Sequence, residues 1–352
     1  MAEIKMTLNK KHPLYIEDLN AILSVKGLER LRGKRFLITG ATGLLGTCLV
    51  DALMRYNIVQ DAQISICALG RSKTKAQARL GEYFDSQFFH FEEHDVCEPL
   101  PENICADYIL PLASNTHPMA YSQYPIETIM TNVKGAEHAL NKAVACGATV
   151  LYPSSVEIYG NARGSDVFTE DYTGKLDLST ARSCYTESKR LAESMCQSYI
   201  SEKQLNIKIV RLSRVFGPTM LSSDTKASSQ FILKALNGED IILKSKGTQF
   251  FSYTYVSDAV SAMLYVLLHG DKGEVYNISN NSCNIHLRDF ASLCAELANR
   301  HVVFDIPSET EQKGFSIANQ AILDSSKILA LGWAPLYSIK NAIKRTLQIM
   351  KS

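Results

Sequence analysis

Tyr185 and Lys189 have the residue types and the spacing for acid–base chemistry. They lie four apart in the segment RSCYTESKRLAE, so in a helix both side chains would share one face and point at one reactant. A tyrosine hydroxyl has a free pKa of about 10, and a nearby ammonium group favours its phenolate. The pair is therefore a candidate acid–base device. The same segment also fits a solvated helix with ordinary ion pairs, so the choice between a catalytic pair and a helix surface depends on motifs elsewhere in the chain.

The segment ITGATGLLG places three glycines, Gly40, Gly43 and Gly46, between a strand pattern and a helix pattern. Glycines let a backbone turn tightly and approach a pyrophosphate, and the following helix N-terminus offers free N–H groups and a partial positive charge. A plain glycine-rich turn is the alternative. We predict that this segment binds a dinucleotide.

The next strand pattern ends without the carboxylate that usually meets the adenosine ribose of NAD. Ala68 or Leu69 stands at that position, and Arg71, Ser72 and Lys73 follow. A carboxylate would repel a 2′-phosphate, whereas this cluster could bind one, so we expect NADP in preference to NAD. The alternative is that the two cations form a solvated loop.

Residues after two later strand patterns are expected along the same cofactor. Asp95 and Val96 are placed to contact adenine, and Ala113 and Ser114 follow the fourth strand. The predicted cofactor-binding residues are Gly40, Thr42, Gly43, Leu44, Leu45, Gly46, Arg71, Ser72, Lys73, Asp95, Val96, Leu112, Ala113, Ser114, Tyr185 and Lys189.

The composition is that of a globular protein without a strong charge bias. Of 352 residues, 46% are hydrophobic and 21% charged, and the net charge of +1 gives no general attraction to nucleic acid. The sequence contains neither an 18-residue apolar run nor an apolar signal segment, so we expect no membrane span and no secretion. Nine dispersed cysteines and eight histidines without ligand-pair spacing predict reduced thiols in the cytoplasm and no metal.

Strand and helix patterns alternate along the first part of the chain. Apolar strand patterns occur at 35–40, 64–69, 88–93, 107–113, 148–155 and 207–215, with helix-like segments between them. This alternation predicts an α/β fold, a Rossmann-type doubly wound parallel sheet. After Gly217-Pro218 the strand and helix patterns no longer alternate regularly, which predicts a smaller, interleaved C-terminal substrate-binding region. The predicted parts are a helical extension (1–33), a dinucleotide-binding domain (34–217) and a mainly substrate-binding region (218–352), some of whose elements return to the first domain.

Taken in order, TGATGLLG, PLAS, SSVEIYG and YTESK resemble the extended short-chain dehydrogenase/reductases, and more narrowly the nucleotide-sugar epimerase/dehydratase family. The resemblance spans about 34–345. The segments RSCYTESKRLAE, FGPTM, QFILKALNGEDI and YTYVSDAV look most like the UDP-glucuronate decarboxylase branch. The ordered set is more specific than any single motif.

The resemblance implies a role for each residue of the catalytic set. Tyr185 would be the acid–base group and Lys189 its partner, which lowers the tyrosine pKa and holds the nicotinamide ribose. Ser155 would hydrogen-bond the reacting oxygen, Asn132 would support the site, and Glu157 would be an auxiliary acid–base group. Val156 stands where the 4,6-dehydratases have an aspartate, which counts against that reaction.

The chain departs from the family where the nucleotide diphosphate is held. Phe251 occupies the place of one arginine, a second arginine is missing near 311–316, and Arg214 replaces an asparagine usual in the decarboxylase branch. The candidate substrate-binding residues are therefore Thr116, Arg214 and Phe251. Lys244, Lys246 and Lys313 are further candidates for the diphosphate, and His117 for the substrate. Aromatic packing is the alternative for Phe251, and loop polarity for His117.

Three functions stay open at this stage. The first is an NAD(P)-dependent epimerase-type or decarboxylase-type enzyme that acts on a nucleotide-activated sugar, in surface polysaccharide or glycan precursor synthesis. The second is an NADPH-dependent reductase of a keto-sugar, even to a sugar alcohol. The third is a dinucleotide-binding sensor without turnover. The resemblance also implies a homodimer, formed through the helix of Tyr185 and the preceding layer.

Overall fold

The computed structural model describes residues 8–116, 118–164, 166–306 and 319–351. The strands are β1 (Arg35–Thr39), β2 (Ser65–Gly70), β3 (Phe89–Glu93), β4 (Tyr108–Pro111), β5 (Thr149–Ser155), β6 (Val167–Phe168), β7 (Ile207–Leu212), β8 (Arg214–Phe216), β9 (Ile241–Leu243), β10 (Phe250–Tyr255), β11 (Val275–Ile278), β12 (Asn284–His286), β13 (Val302–Phe304) and β14 (Gln320–Leu323). The α-helices are α1 (Pro13–Leu23), α2 (Leu44–Gln60), α3 (Lys73–Leu80), α4 (Pro118–Gln123), α5 (Pro125–Cys146), α6 (Ser183–Lys203), α7 (Ala227–Asn237), α8 (Val256–His269), α9 (Leu287–Ala298), α10 (Ser326–Leu331) and α11 (Ile339–Met350).

Seven parallel strands form the main sheet, in the order β11-β7-β5-β4-β1-β2-β3. All six residues of β7 and four of the five in β1 are buried, as expected for strands covered on both faces by helices. The strand order reverses between β1 and β4, and ligands of such sheets bind in the crevice at this switch point. The predicted Rossmann-type doubly wound sheet is therefore confirmed.

A second sheet carries the other side of the site. It has the order β12-β10-β14-β6, and β8 pairs in parallel with β10. The sequence pattern predicted one strand over 207–215, and this was wrong. The chain leaves the main sheet at Ser213, whose hydroxyl shares a 2.6 Å hydrogen bond with the hydroxyl of Thr254, so Arg214 moves to the second sheet.

The chain crosses between the two sheets more than once. The short strand β6 joins the second sheet before β7 completes the main one, and β11 returns to the edge of the main sheet beside β7. The division at 217–218 stays a prediction, but β8 already belongs to the second sheet.

The N-terminal helix α1 packs against α2, α8 and α11, so it belongs to the core of the molecule. Tyr15 and Ile22 are fully buried, and the buried carboxylate of Asp18 accepts hydrogen bonds from Tyr255 and Arg345. A buried carboxylate needs such partners because its desolvation is costly. The extension therefore joins the first and last parts of the chain.

Candidate active site

The glycine turn between β1 and α2 forms the floor of the crevice. Gly40 has a φ of 64°, and its carbonyl accepts a 3.0 Å hydrogen bond from the N–H of Gly43. A Cβ on Gly46 would lie 2.4 Å from the Gly40 oxygen, and a Cβ on Gly40 would lie 2.7 Å from the Ala113 nitrogen. The turn is thus closed to side chains. No side chain caps the N-terminus of α2 at Gly43, so the first N–H groups of this helix suit a pyrophosphate.

The end of β4 lies directly beside this turn. The N–H of Ala113 donates a 3.1 Å hydrogen bond to the hydroxyl of Thr39, which fixes the two strand ends together. The hydroxyl of Ser114 donates a 2.6 Å hydrogen bond to the side-chain oxygen of Asn132. That Ala113 and Ser114 lie along a bound dinucleotide stays a prediction.

The other residues predicted to contact the cofactor differ in their burial and hydrogen bonding. Asp95 uses its carboxylate to accept a hydrogen bond from the N–H of Cys97, and Val96 is buried. Of the other candidates, Thr42 is buried, whereas Leu44, Leu45 and Leu112 are half-buried against the core.

Cations gather after β2, but two of them already have partners, because Arg71 is paired with an acidic residue and Arg79 donates to the hydroxyl of Thr47 and the carbonyl of Thr219. Arg71 donates a 2.7 Å hydrogen bond to Glu127, and Ser72 caps α3 through the N–H of Lys75. The pKa of Lys75 is lowered by desolvation and by two neighbouring arginines, Arg79 and Arg71. The backbone N–H of Lys73 donates a hydrogen bond to the carboxylate of Glu93. Lys75 and Arg79 were not predicted from the sequence as part of this cluster, although both stand in the segment SKTKAQAR that follows Arg71.

Tyr185 and Ser155 meet where β5 ends against α6. A hydrogen bond from the Ser155 side chain lowers the pKa of Tyr185, but burial has the larger effect and raises this pKa to about 12. The ring of Tyr121 stacks on Tyr185 with centroids 5.0 Å apart, and the Tyr121 hydroxyl donates to the carbonyl of Thr116. Tyr121 was not predicted from the sequence, because its stacking depends on how α4 folds onto α6.

Lys189 is buried behind the tyrosine. Its ammonium donates a 3.0 Å hydrogen bond to the carbonyl of Pro153 and lies 5.1 Å from the centre of the Tyr152 ring. Burial is the largest influence on the Tyr185 pKa and raises it, and the Lys189 ammonium is bound to Pro153 instead of the tyrosine, so the lowering of the Tyr185 pKa by Lys189 stays a prediction. The two side chains nevertheless lie on one helical face, as their spacing predicted.

A small cavity connects Lys189 with the end of β4. Thr39, Ala113, Asn132 and Tyr152 line it with Lys189. Asn132 donates a 2.9 Å hydrogen bond to the hydroxyl of Ser188, and the buried Tyr152 hydroxyl has no partner among the described residues. The role of Lys189 at a nicotinamide ribose stays a prediction.

Glu157 lies between two arginines at the mouth of the site. Its carboxylate is 3.3 Å from Arg214 and 3.8 Å from Arg182, and its N–H donates to the hydroxyl of Ser155. The Arg214 guanidinium lies 3.7 Å from the centre of the buried Phe251 ring. Arg182 was missed, because nothing in RSCYTESK separates it from an ordinary surface arginine.

The remaining residues considered for substrate binding differ in their exposure to solvent. Thr116 is exposed, and so are Lys244 and Lys246 after β9. His117, Lys313 and the segment 311–316 lie outside the described residues. Phe251, Tyr253 and Tyr255 are buried in the core. Within the described ranges, no group of three or more histidine, cysteine or acidic side chains is arranged to hold a metal, and no helix has the length and apolarity to cross a membrane.

Residues 36–279 match the NAD dependent epimerase/dehydratase family. This chain belongs to that family. It is 30% identical to UDP-glucuronic acid decarboxylase 1 of Danio rerio over 347 residues, which covers 98% of this chain and 77% of the relative. It is 32% identical to UDP-glucuronic acid decarboxylase 6 of Arabidopsis thaliana over 310 residues, covering 88% and 86%.

Solved structures show the same fold at lower identity. A dTDP-glucose 4,6-dehydratase of Streptomyces venezuelae, with NAD and TYD bound, has a TM-score of 0.77 at 22% identity, covering 90% of this chain and 96% of the other. A UDP-glucuronic acid 4-epimerase of Bacillus cereus, in complex with UDP-glucuronic acid and NAD, has a TM-score of 0.74 at 20% identity, covering 90% and 99%. The predicted resemblance is confirmed at the level of family and fold. This chain is therefore an enzyme of an NAD-dependent family, whereas its site roles stay predictions.

Lys189 gives a stability prediction whose sign follows from its pKa. Burial lowers the pKa of Lys189 from 10.5 to about 8, so between these values the unfolded chain binds a proton that the folded protein lacks. Stability rises with pH wherever the unfolded state binds more protons. The free energy of unfolding should therefore gain a contribution from Lys189 as the pH rises from about 8 to 10.5. Below pH 8 the full penalty of the buried charge remains.

Urea unfolding of the wild type and of Lys189→Met across this pH window measures the contribution. The wild type should gain stability more steeply than the variant. Lys340→Met, which removes an exposed lysine paired with Glu296, is the control and should keep the wild-type slope. Parallel curves for the wild type and Lys189→Met would contradict the prediction.

Proposed function

We propose that this protein is an NAD(P)-dependent enzyme that oxidises or reduces the sugar of a nucleotide-activated sugar, with Tyr185 as its acid–base group. The observation that carries the proposal is the meeting of Ser155, Tyr185 and Lys189 beside the glycine turn. The activities of the similar proteins support the substrate class, because both curated relatives act on UDP-glucuronic acid according to their names.

The residues of this chain supply the proton movements of such a reaction. A bound nicotinamide accepts or supplies the hydride. As a phenolate, Tyr185 would take the proton of a sugar hydroxyl and become the neutral phenol, while Ser155 orients that hydroxyl. Lys189 would stabilise the phenolate before this transfer, when its ammonium turns from Pro153 toward the crevice. Glu157 is available as a second acid–base group once it leaves its arginine partners.

Two reaction modes fit these groups. In one, a tightly held NAD would take a hydride from the sugar and return it within a single turnover, as epimerisation or decarboxylation requires. In the other, NADPH is consumed to reduce a keto-sugar. We infer that NADP is preferred to NAD, because Arg71, Lys75 and Arg79 gather after β2 while buried Ala68 and Leu69 stand where NAD enzymes carry an acidic residue.

Identification of the bound dinucleotide distinguishes the two modes. The purified protein is denatured, the released dinucleotide is identified by chromatography, and emptied protein is titrated with NADPH and NADH. Stoichiometric NAD would support the internal redox cycle, and empty protein that prefers NADPH would support the reductase. Tighter binding of NADH than of NADPH would exclude the NADP preference.

A second copy of this chain is the partner we propose for the outer face of α5. Ile126 is 76% exposed there, and Ile129 and Met130 are also exposed, as is Leu191 on the adjoining α6. Exposed apolar residues on neighbouring helices are typical of an interface. Sedimentation should give twice the mass of the chain, and a monomer at micromolar concentration would exclude this dimer.

We also propose a reducing, cytoplasmic location, which the nine unpaired cysteines support.

A further inference from the structure

The guanidinium of Arg214 is held in place by an aromatic platform. In the register of β8 and β10, Arg214 lies opposite Tyr253, and Phe251 is two residues away on the same face of β10. The guanidinium lies 3.7 Å from the centre of the Phe251 ring, and only 19% of the Arg214 side chain is exposed. Stacking on an aromatic ring fixes the plane of an arginine while leaving its N–H groups free to bind.

The hydrogen bonds of Arg214 are incomplete. Its Nη2 atom lies 3.3 Å from Glu157, whereas its buried Nη1 atom has no partner among the described residues. An arginine offers five N–H donors in a fork that matches an oxyanion, and charge-assisted bonds of this kind normally measure about 2.7–2.9 Å. The contact with Glu157 is therefore a weak one that a better-placed oxyanion can replace.

A second cation faces the same carboxylate. Arg182 lies 3.8 Å from Glu157 on the N-terminal side of Tyr185, so the carboxylate is shared by two guanidinium groups. Glu157 in turn contacts Ser155 through its N–H, and its charge raises the pKa of Tyr185. The two arginines thus define an anion-binding position next to the groups that would carry out the chemistry.

We propose that Arg214, assisted by Arg182, binds an oxyanion that the substrate carries close to its reacting carbon, and that this oxyanion takes the place of the Glu157 carboxylate. The sources of such an oxyanion are a carboxylate on the sugar and the phosphate nearest to the sugar. Substrate binding then releases Glu157 from the arginines toward Ser155 and Tyr185. This inference rests on the proposed nucleotide-sugar substrate.

Competition between Glu157 and the substrate distinguishes this arrangement from a purely structural ion pair. Arg214→Ala removes the fork and should weaken ligand binding by about 30-fold or more, because a buried charge pair is lost. Glu157→Gln removes the competing charge and should tighten binding by about threefold or more. A structural ion pair predicts instead that both substitutions weaken binding.

The test uses calorimetry on protein saturated with whichever dinucleotide, NAD or NADP, it binds more tightly. The wild type is first titrated with UDP, dTDP, CDP, GDP and ADP, and the tightest binder identifies the nucleotide. The wild type, Arg214→Ala, Arg214→Lys and Glu157→Gln are then compared with that nucleoside diphosphate, its glucose conjugate and its glucuronate conjugate. Arg288→Ala, which removes an exposed arginine beside Asp289, is the matched control and should change no affinity.

Each outcome decides a different question. If Arg214→Ala weakens all three ligands, the oxyanion is the phosphate, and if it weakens only the glucuronate conjugate, the oxyanion is the sugar carboxylate. Arg214→Lys should recover part of the affinity, since it keeps the charge without the fork. Unchanged affinity in Arg214→Ala, or weaker binding in Glu157→Gln, would overturn the inference. Failure of the wild type to bind any nucleoside diphosphate would instead overturn the proposed function, and this inference with it.

Discussion

Replacing Tyr185 with phenylalanine is expected to lower turnover by about 10³-fold or more. Proton transfer by a positioned side chain contributes roughly 10² to 10⁴ in rate, and phenylalanine has no proton to exchange. The ring itself should stay in place, because Tyr185 is buried and stacks on Tyr121. The measurement is the rate at which NAD(P)-loaded protein converts a nucleotide sugar, followed by the absorbance of the reduced nicotinamide and by mass spectrometry.

Tyr121→Phe is the matched control for this substitution. It removes the neighbouring phenol, which donates to the carbonyl of Thr116, but it preserves the stacked ring. Turnover should stay within a few-fold of the wild type, a range that corresponds to about 1 kcal/mol for one hydrogen bond. If Tyr185→Phe turned over as fast as Tyr121→Phe, Tyr185 would not be the acid–base group.

Replacing Gly46 with alanine is expected to weaken dinucleotide binding by about 100-fold or more. The added Cβ would lie 2.4 Å from the Gly40 oxygen and 2.7 Å from the Ala41 Cα, and both are backbone atoms that cannot rotate away. The glycine turn would therefore have to open, which moves the first N–H groups of α2 away from the pyrophosphate. Fluorescence titration with NADH and NADPH measures the loss.

Gly70→Ala separates this effect from a general intolerance of alanine. Gly70 ends β2, and a Cβ there would lie 3.4 Å from the Phe91 ring, which is an ordinary contact. Thermal unfolding of both variants without cofactor reports whether the fold survives, and added dinucleotide should stabilise Gly70→Ala but not Gly46→Ala. Wild-type affinity in Gly46→Ala would show that the dinucleotide does not bind at this turn.

The sequence predicted the main sheet because parallel strands have a strong local signature. Most predicted strands were short apolar runs followed by a polar or glycine residue, and the glycines 40, 43 and 46 lay between a strand pattern and a helix pattern. The parallel arrangement followed from the alternation of the patterns, since strand–helix–strand units form parallel sheets.

The second sheet was harder to predict for a physical reason. The break at Ser213 leaves no gap in the apolar pattern, so nothing local marks the transfer of Arg214 from one sheet to the other. Its consequence, an arginine stacked on Phe251 beside Glu157, depends on pairing between strands far apart in the chain. Tertiary contacts of this kind decide the surroundings of Glu157, whereas the glycine turn after β1 is decided by local sequence.

The pKa values of Tyr185 and Lys189 could not be predicted from the sequence either. The spacing of Tyr185 and Lys189 predicted one shared helical face, and the structure has it. Spacing contains no information on burial, which raises the pKa of Tyr185 to about 12 and lowers that of Lys189 to about 8. The same burial means that both groups depend on the bound reactants to adopt their working charge states.

The most direct test of the account is whether this protein changes a nucleotide sugar by hydride transfer. Wild-type protein loaded with its dinucleotide is mixed with UDP-, dTDP-, CDP-, GDP- and ADP-linked hexoses and uronates, and with their keto forms, and products are identified by mass spectrometry. We expect conversion of at least one of them, with a transient or net change in nicotinamide absorbance, and conversion at least about 10³-fold slower with Tyr185→Phe. Tight dinucleotide binding without conversion of any nucleotide sugar would contradict it and would favour a sensor without turnover.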